Sequence, residues 1–415
     1  TGTQSWVKSP VSGTTTKAVS YTINGSASSL KDINGIEVST DGGISWQAAT
    51  GTGSWHYDWA VPGDGTYTIK SRVITDAVEG ESVPSTITID SALPTTSGLL
   101  GGNETWNGMI NISGDVTVPA GSTLTIGAGS SIVFPALSDD QGDGLSGSRA
   151  EIIVEDGGTL IIEGVAGNAV TLTSDAATKQ AGDWQGIYVQ SGGELIMRHA
   201  VLEYAVTGVT YEHTAASART LTLEDSVIRE MSGEGVHVTS RSGAQTTLSL
   251  LRNSLSNIAN RGLNIDSSTS TTTLAGAISD NTISATGFSS VRLNTSQAQH
   301  DLSLSGNTLH TVNSGSKTSA QYAGVELYAS SVNATSALAK YTLSGNDIYG
   351  AAAHGVYVSA SSSNVELALR NNQIHDNGHD GVYIYRNRNS VSVELSGNTC
   401  LLYTSDAADD WLVVL

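Results

Sequence analysis

Hydrophobic and polar positions alternate with period two along most of the chain, in short runs that recur at a nearly constant interval. Runs such as Leu302-Ser303-Leu304-Ser305-Gly306-Asn307 end on an asparagine. Asn253, Asn281, Asn307, Asn346, Asn372 and Asn398 all hold this place, five of them two residues before an aliphatic (Leu255, Ile283, Leu309, Ile348, Ile374). Ala200 and Ser226 occupy it in two earlier units, so that successive steps are 26, 27, 28, 26, 39, 26 and 26 residues. A repeat of this size marks a chain that stacks on itself.

About ten residues past most of these positions a second alternation follows: Val236-His237-Val238, Leu263-Asn264-Ile265, Val291-Arg292-Leu293, Val356-Tyr357-Val358 and Val382-Tyr383-Ile384. One face is aliphatic and the other polar, which predicts strands buried on a single side. A third strand must close each coil, but no fixed pattern marks it. Helices are excluded, because the i, i+3, i+4 apolar recurrence is missing and the repeats are dense in Val, Ile, Thr, Ser, Gly and Asn. An asparagine at one corner of every coil is expected to hydrogen-bond the coils above and below and to take the left-handed backbone of a sharp turn.

These features resemble the right-handed parallel β-helix family over roughly Asn103 to Thr399. The stretch Ala181-Gly182-Asp183-Trp184-Gln185-Gly186-Ile187-Tyr188-Val189, following Gly158-Thr159-Leu160-Ile161-Ile162-Glu163-Gly164, is similar to bacterial extracellular members. The fold class is therefore all-β. Val116 to Val118, Leu124 to Ile126 and Ile132 to Phe134 read as the first coils, with a cap expected near Trp106 to Ile112.

Residues 1–91 read as a small β-sandwich, with strands near Ala18 to Ile23, Ile33 to Ser39, Trp55 to Val61, Thr66 to Ile74 and Val83 to Ile89, separated by Asp41-Gly42-Gly43 and Pro62-Gly63-Asp64-Gly65. Through Ile36-Glu37-Val38-Ser39-Thr40-Asp41-Gly42-Gly43-Ile44-Ser45-Trp46 and Asp64-Gly65-Thr66-Tyr67-Thr68-Ile69 this region resembles bacterial immunoglobulin-like domains, without the cysteine pair of the antibody type. Trp46, Trp55 and Trp59 are expected in its core rather than on sugar. Residues 92–102 read as a linker and 103–399 as the solenoid.

Composition narrows the function. A formal charge of −20 with 19 Lys plus Arg disfavours phosphate backbones and anionic membranes, so nucleic acid is excluded as a partner. It also weighs against a polyanionic sugar, which would need calcium bridges or a local arginine. No apolar run is long enough to span a membrane. High Ser, Thr, Gly and Asn with one cysteine fits an extracellular or bacterial cell-surface protein, read here as a monomeric fragment of a larger chain. Residues 400–415 break the repeat abruptly, and Cys400-Leu401-Leu402-Tyr403-Thr404-Ser405-Asp406-Ala407-Ala408-Asp409-Asp410 resembles the translation of a sequencing-library adapter, hence a non-native tail.

Two places carry candidate chemistry. Asp139, Gln141 and Asp143 followed by Gly144 have the oxygen spacing of a calcium loop, but Ala150 stands where the bidentate acid belongs, so that Ca2+ competes with a solvated acidic turn. The outward positions of the second alternation form columns: Tyr188, Thr210, His237, Asn264, Arg292, Glu326, Tyr357 and Tyr383, and beside them Gln190, Glu212, Thr239, Asp266, Asn294, Tyr328, Ser359 and Tyr385. Asn264, Asp266, Arg292, Asn294, Glu326 and Tyr328, with Tyr357, Tyr383 and Tyr385 beyond, suit a polysaccharide or cell-surface glycan: rings stack on sugar faces while amides and acids take hydroxyls.

The same columns could merely solubilise the strand, each pair contributing about 0.2–1 kcal/mol. The 39-residue unit places extra residues around Asn313 to Gln321, over one side of this face. The leading reading is a non-catalytic glycan-binding, adhesive or structural shaft without cofactor. The alternative is a polysaccharide lyase or glycoside hydrolase using Asp266, Arg292 and Glu326, although Arg292 is expected to lower the pKa of both carboxylates. Polygalacturonase-like motifs are not matched: the chain offers Asn281-Thr282-Ile283 and Ala353-His354-Gly355 without a later Arg-x-Lys. His375 and His379 lie in a turn, which argues against zinc.

Overall fold

The computed structural model describes residues 2–17, 20–76, 78–311, 319–330, 338–361, 364–387, 391–401 and 413–414. It forms two compact units, Thr1–Leu93 and Pro94–Leu415.

The first unit holds two sheets. One runs Gln4–Ser9, Ser20–Ser28, Ser54–Ala60, Thr50–Gly51. The other runs Thr14–Thr16, Ser85–Ile89, Gly65–Ile74, Gly35–Ser39, Gln47–Ala48, with Val78–Glu81 on Gly65–Ile74. Pairing is antiparallel apart from Thr14–Thr16 on Ser85–Ile89. Ile23, Trp55 and Trp59 of the first sheet pack with Ile36, Val38, Ile69, Val73, Ile87 and Ile89 of the second in one core. Trp46 stands apart from that core, with the Arg72 guanidinium over its ring at 4.1 Å.

The second unit is a coil of three parallel sheets, with 12, 11 and 11 strands among the described residues. Each turn of chain gives one strand to each sheet, so a strand pairs with the third strand after it. In the central coils the first sheet holds Val236–Ser240, Leu263–Ser268, Val291–Ser296, Val325–Ser330, Val356–Ser361 and Val382–Asn387. The second holds the strands that run up to the asparagines, such as Gln299–Ser305. The third follows them directly, as Ser254–Ile258, Thr282–Thr286, Thr308–Thr311, Asp347–Tyr349 and Gln373–His375. This is the strand without a visible pattern: it is short and in three of the coils buries little more than Leu309, Ile348 or Ile374.

Inside, aliphatics stack in rows from Leu100 to Ile384. Phe134 and Trp184 add a ring stack at 3.9 Å, and the indole N–H of Trp184 donates to the Glu203 carbonyl. At the corner between second and third sheets the asparagines form a continuous ladder. The backbone N–H and side-chain amide of each donate to Oδ1 of the next: Asn281 to Asn307 at 2.9 and 3.0 Å, Asn346 to Asn372 at 3.0 and 2.9 Å. Each side-chain amide also donates to a carbonyl one coil back, as Asn307 does to Ile278.

One expectation is corrected here. The left-handed residue is the one before each asparagine, at Arg252, Asp280, Gly306, Gly345, Asn371 and Gly397, and Asp225 takes the same place before Ser226. The turn is made one step early so that the asparagine itself, in ordinary backbone, can aim its amide along the stack.

The linker expectation also shifts. Gly98–Leu99 pairs in parallel with Val116–Val118, and Leu100 is buried in the coil core. The cap region contributes strands Glu104–Trp106 and Met109–Asn111 to the first coil. At the other end Thr399–Leu401 pairs in register with Gln373–His375, and Val413–Val414 with Val382–Asn387; residues 402–412 lie outside the described residues.

Candidate functional site

The outward side chains of the first sheet are set by strand parity. In Val291–Ser296 the residues Val291, Leu293 and Thr295 enter the core, leaving Arg292 and Asn294 outside. Register carries this from coil to coil. His237, Asn264, Arg292, Glu326, Tyr357 and Tyr383 are successive partners, as are Thr239, Asp266, Asn294, Tyr328, Ser359 and Tyr385.

A third column lies beside them in the turn two residues ahead of each strand: Glu234, Arg261, Ser289, Ala323, His354 and Asp380. The next residue is glycine in most coils because backbones touch there; a Cβ on Gly235 would stand 2.5 Å from the Gly262 carbonyl oxygen. This turn brings residues that the alternation leaves out, since they lie off the strands.

Arg292 is the hub. Its Nη1 donates to Asn264 Oδ1 at 2.8 Å and Asp266 Oδ1 at 2.9 Å, and its Nε lies 3.9 Å from Glu326 Oε2. Asn294 donates to Asp266 at 2.6 Å, and Asn264 to Glu234 at 2.8 Å. The His237 imidazole sits between Glu234 at 3.3 Å and Asp266 at 3.6 Å. From the turn column Arg261 reaches Glu326 at 3.4 Å while its guanidinium lies over Phe288, which contacts the Tyr322 ring.

Two outward positions are thus not exposed. Asn264 is buried, and the Glu326 side chain is only 1% exposed. Parity puts Glu326 outside the core, but the two arginines and their rings cover it.

The electrostatics follow from this cover. Burial pushes the Glu326 carboxyl up, and the opposing charges of Arg261 and Arg292 do not cancel it. Asp266 feels burial too, but the neighbouring His237 imidazole, the hydrogen bond from Asn294 and the charge and hydrogen bond of Arg292 bring it down to about 2. Arg292 lowers both acids, but at Glu326 lost hydration outweighs the two cations and leaves the net shift upward. His237 is raised, chiefly by the nearby Asp266 carboxylate, against burial and with help from Glu234.

Rings continue the face. Arg292 lies 5.6 Å from the Tyr328 centroid, Tyr328 meets Tyr357 at 5.8 Å, and Tyr357 stacks on Tyr383 at 5.5 Å and 14°. His354 stacks on Tyr383 at 4.6 Å, with Nδ1 3.0 Å from Asp380 Oδ2 in poor hydrogen-bond geometry. Tyr357 and Tyr383 give a ring face to each other, which limits the face-on stacking expected for sugars. Tyr385 is 44% exposed. Most of the extra loop, residues 312–318, and residues 331–337 lie outside the described residues, while Ala320–Tyr322 is a single 3-10 turn.

In the acidic loop, Asp139 spends its oxygens on the amides of Asp115, Gln141 and Gly142. Gln141 donates to Ser97 and Asp140, and the Asp143 amide donates to Asp115. Among the described residues no three His, Cys, Asp or Glu side chains are placed to hold a metal. The loop instead closes over two buried acids that sequence reading passes over, Asp115 and Glu151. Glu151 accepts the amides of Leu145 and Ser146 through Oε1, while its buried Oε2 has no partner. Burial, then the charge of Asp139, pushes Asp115 up to about 7, and burial, then the charges of Asp115 and Asp139, pushes Glu151 up to about 8. His375 lies between Asp347 and Asp376, and its ring stacks on Tyr349.

Residues 103–212 match the model of the pectate-lyase like beta helix domain and residues 245–408 that of the right handed beta helix region. With the three columns of parallel strands, the second unit is a right-handed β-helix. No curated protein matches the chain. Among solved structures it is similar to a family 28 exopolygalacturonase of Yersinia enterocolitica, at 9% identity and TM-score 0.30 over 100% of both chains. It is also similar to the A-module of the mannuronan C-5 epimerase AlgE6 of Azotobacter vinelandii, at 15% identity and TM-score 0.36 over 73% of this chain and 91% of that one. The AlgE4 A-module follows at 16% and 0.30, over 69% and 89%.

Proposed function

We propose that the outer face of the first sheet, from His237 to Tyr385, binds a polysaccharide laid across the coils. The observation that carries this is Arg292, which gathers Asn264, Asp266 and Glu326 from neighbouring coils beside the Tyr328 ring. A solubilising surface would need no such convergence, nor a carboxylate buried at its centre. Fixed acceptors and donors at coil spacing suit a repeating ligand with repeating hydroxyls, and a rigid stack holds them with little ordering cost. The test is a glycan array: the native chain is expected to be retained on a polysaccharide, and Arg292→Ala to lose that retention. Equal retention of both would count against the face.

A second reading, that the same face cleaves the chain as a lyase or hydrolase, is favoured by the opposite displacements of Asp266 and Glu326. Environments that push a pair of carboxylates in opposite directions fit an acid and a base. The pectate-lyase like description of residues 103–212 favours this reading over a purely adhesive shaft. Glu326 is covered as it stands, so cleavage requires Arg261 to move aside. Incubation with the retained polysaccharide separates the readings: falling polymer size that Glu326→Gln abolishes supports turnover, and unchanged size supports binding alone.

The remaining assignments belong to the same proposal. The two-sheet N-terminal unit acts as an immunoglobulin-like spacer, supported by its shared core and turn motifs. The setting is extracellular or at a bacterial cell surface, supported by the composition.

A further inference from the structure

The balance of charge on this face restricts its ligand, and we infer that it takes a neutral, hydroxyl-rich glycan rather than a polyuronate. The inference rests on the reading of the face as a polysaccharide site. A uronate carboxylate needs a guanidinium, ammonium or divalent ion with capacity to spare. Around Arg292 each cation already has a protein partner: Arg292 holds Asp266 and faces Glu326, Arg261 faces Glu326, and His237 lies between Glu234 and Asp266.

Counting formally, two arginines and a protonated His237 meet three carboxylates, which leaves no positive excess; a neutral His237 leaves a negative one. The chain as a whole carries −20. A uronate drawn onto Arg292 would compete with Asp266 for its charge or leave Glu326 buried beside one cation fewer, and stranding a buried carboxylate is costly. Arg386, an exposed cation, lies on the strand three coils above Arg292 and three residues past its column, about 17 Å away by coil spacing and strand rise. A uronate captured there would not need the Arg292 network.

Hydroxyls are served differently. Asp266 Oδ2 and the Glu234 carboxylate accept from O–H groups, the Asn294 amide and tyrosine hydroxyls both donate and accept, and none of this needs net charge. Charge-assisted acceptors for sugar O–H groups are present, while the cations around Arg292 are already engaged.

The experiment is affinity electrophoresis of the full chain in gels containing neutral galactan, glucan or mannan, against gels containing polygalacturonate or alginate, each with calcium and with EDTA. Retardation is expected in at least one neutral gel, insensitive to added salt, and weakened about tenfold by Asp266→Asn or Asn294→Ala. Thermal melts check that both variants stay folded, and the exposed Tyr385→Ala serves as a further variant. Retardation by polyuronate that fades with salt and disappears in Arg292→Ala would overturn the neutral-ligand inference while leaving the site in place. Retardation by polyuronate that Arg386→Ala alone abolishes would overturn it through a different patch. No retardation in any gel would remove the site reading and the inference with it.

Discussion

Asn281 lies directly beside Asn307 in the next coil, and the backbone N–H and side-chain amide of Asn281 both end on the one Oδ1 of Asn307. Asn307 repeats the arrangement toward Asn346. Both groups are buried, so the ladder fixes the register between coils. Asn307→Ala strands the amide groups of Asn281 and the Ile278 carbonyl. A loss of about 2–4 kcal/mol is expected from one to three kilocalories per orphaned group, partly relieved by relaxation. Urea denaturation reads this directly, and an unchanged midpoint would mean that the ladder merely decorates the corner.

Gly276 makes a different prediction. It lies inside Thr273–Ser279 at φ +134, where a Cβ would stand 2.1 Å from the Leu248 carbonyl oxygen. Gly276→Ala is expected to destabilise by about 3 kcal/mol. Gly345, at φ +64, has nothing within 4 Å, and Asn371 holds the equivalent corner at φ 56. Gly345→Asn is therefore expected to change stability by less than about 0.5 kcal/mol. Thermal melts of the two variants should separate clearly.

Glu151 sets a pH dependence. Its folded pKa is raised, so the folded state binds more protons than the unfolded state between the ordinary value of 4.5 and about 8. Stability from this group is full below that window and lost as pH rises through it. Glu151→Gln keeps an Oε1 for the Leu145 and Ser146 amides and places a donor where Oε2 has no partner. The variant should melt higher than the native chain at pH 9 and nearly level with it at pH 5. Equal melting shifts at both would show that Glu151 is not buried as a charge.

His237 follows the same sign from a different cause. Asp266 and Glu234 keep the imidazolium, and its folded pKa stands above the ordinary 6.5. Its contribution is present below 6.5 and lost as pH rises through the folded value. Asp266→Asn removes the larger cause, so the His237 titration followed by NMR should move down toward the ordinary range. No movement would place the two side chains apart.

The sequence makes the period and two of the three strands legible because asparagines and alternating aliphatics recur in register. The third strand is hidden because three to five residues around a single Leu309 or Ile348 make no alternation to read. Parity correctly sends Arg292, Asp266 and Glu326 outward. It is silent on the cover that arrives from Arg261 in a turn, and so the direction of the Glu326 shift was not legible. A signal for that turn does exist: Glu234, Arg261, His354 and Asp380 share one place, two residues ahead of the first-sheet strand. Asp115 and Glu151 are legible only in space, since three strands and the loop 135–150 separate them in sequence.

The most direct test compares two arginines on different outer faces. Arg292 is the hub of the first-sheet network, and Arg370, on the second sheet, pairs with Glu394. Retention of Arg292→Ala and Arg370→Ala is measured side by side on the polysaccharide that binds the native chain. About tenfold weaker retention for Arg292→Ala with native retention for Arg370→Ala is the predicted result. Native retention of Arg292→Ala, or equal loss in both, would contradict the account.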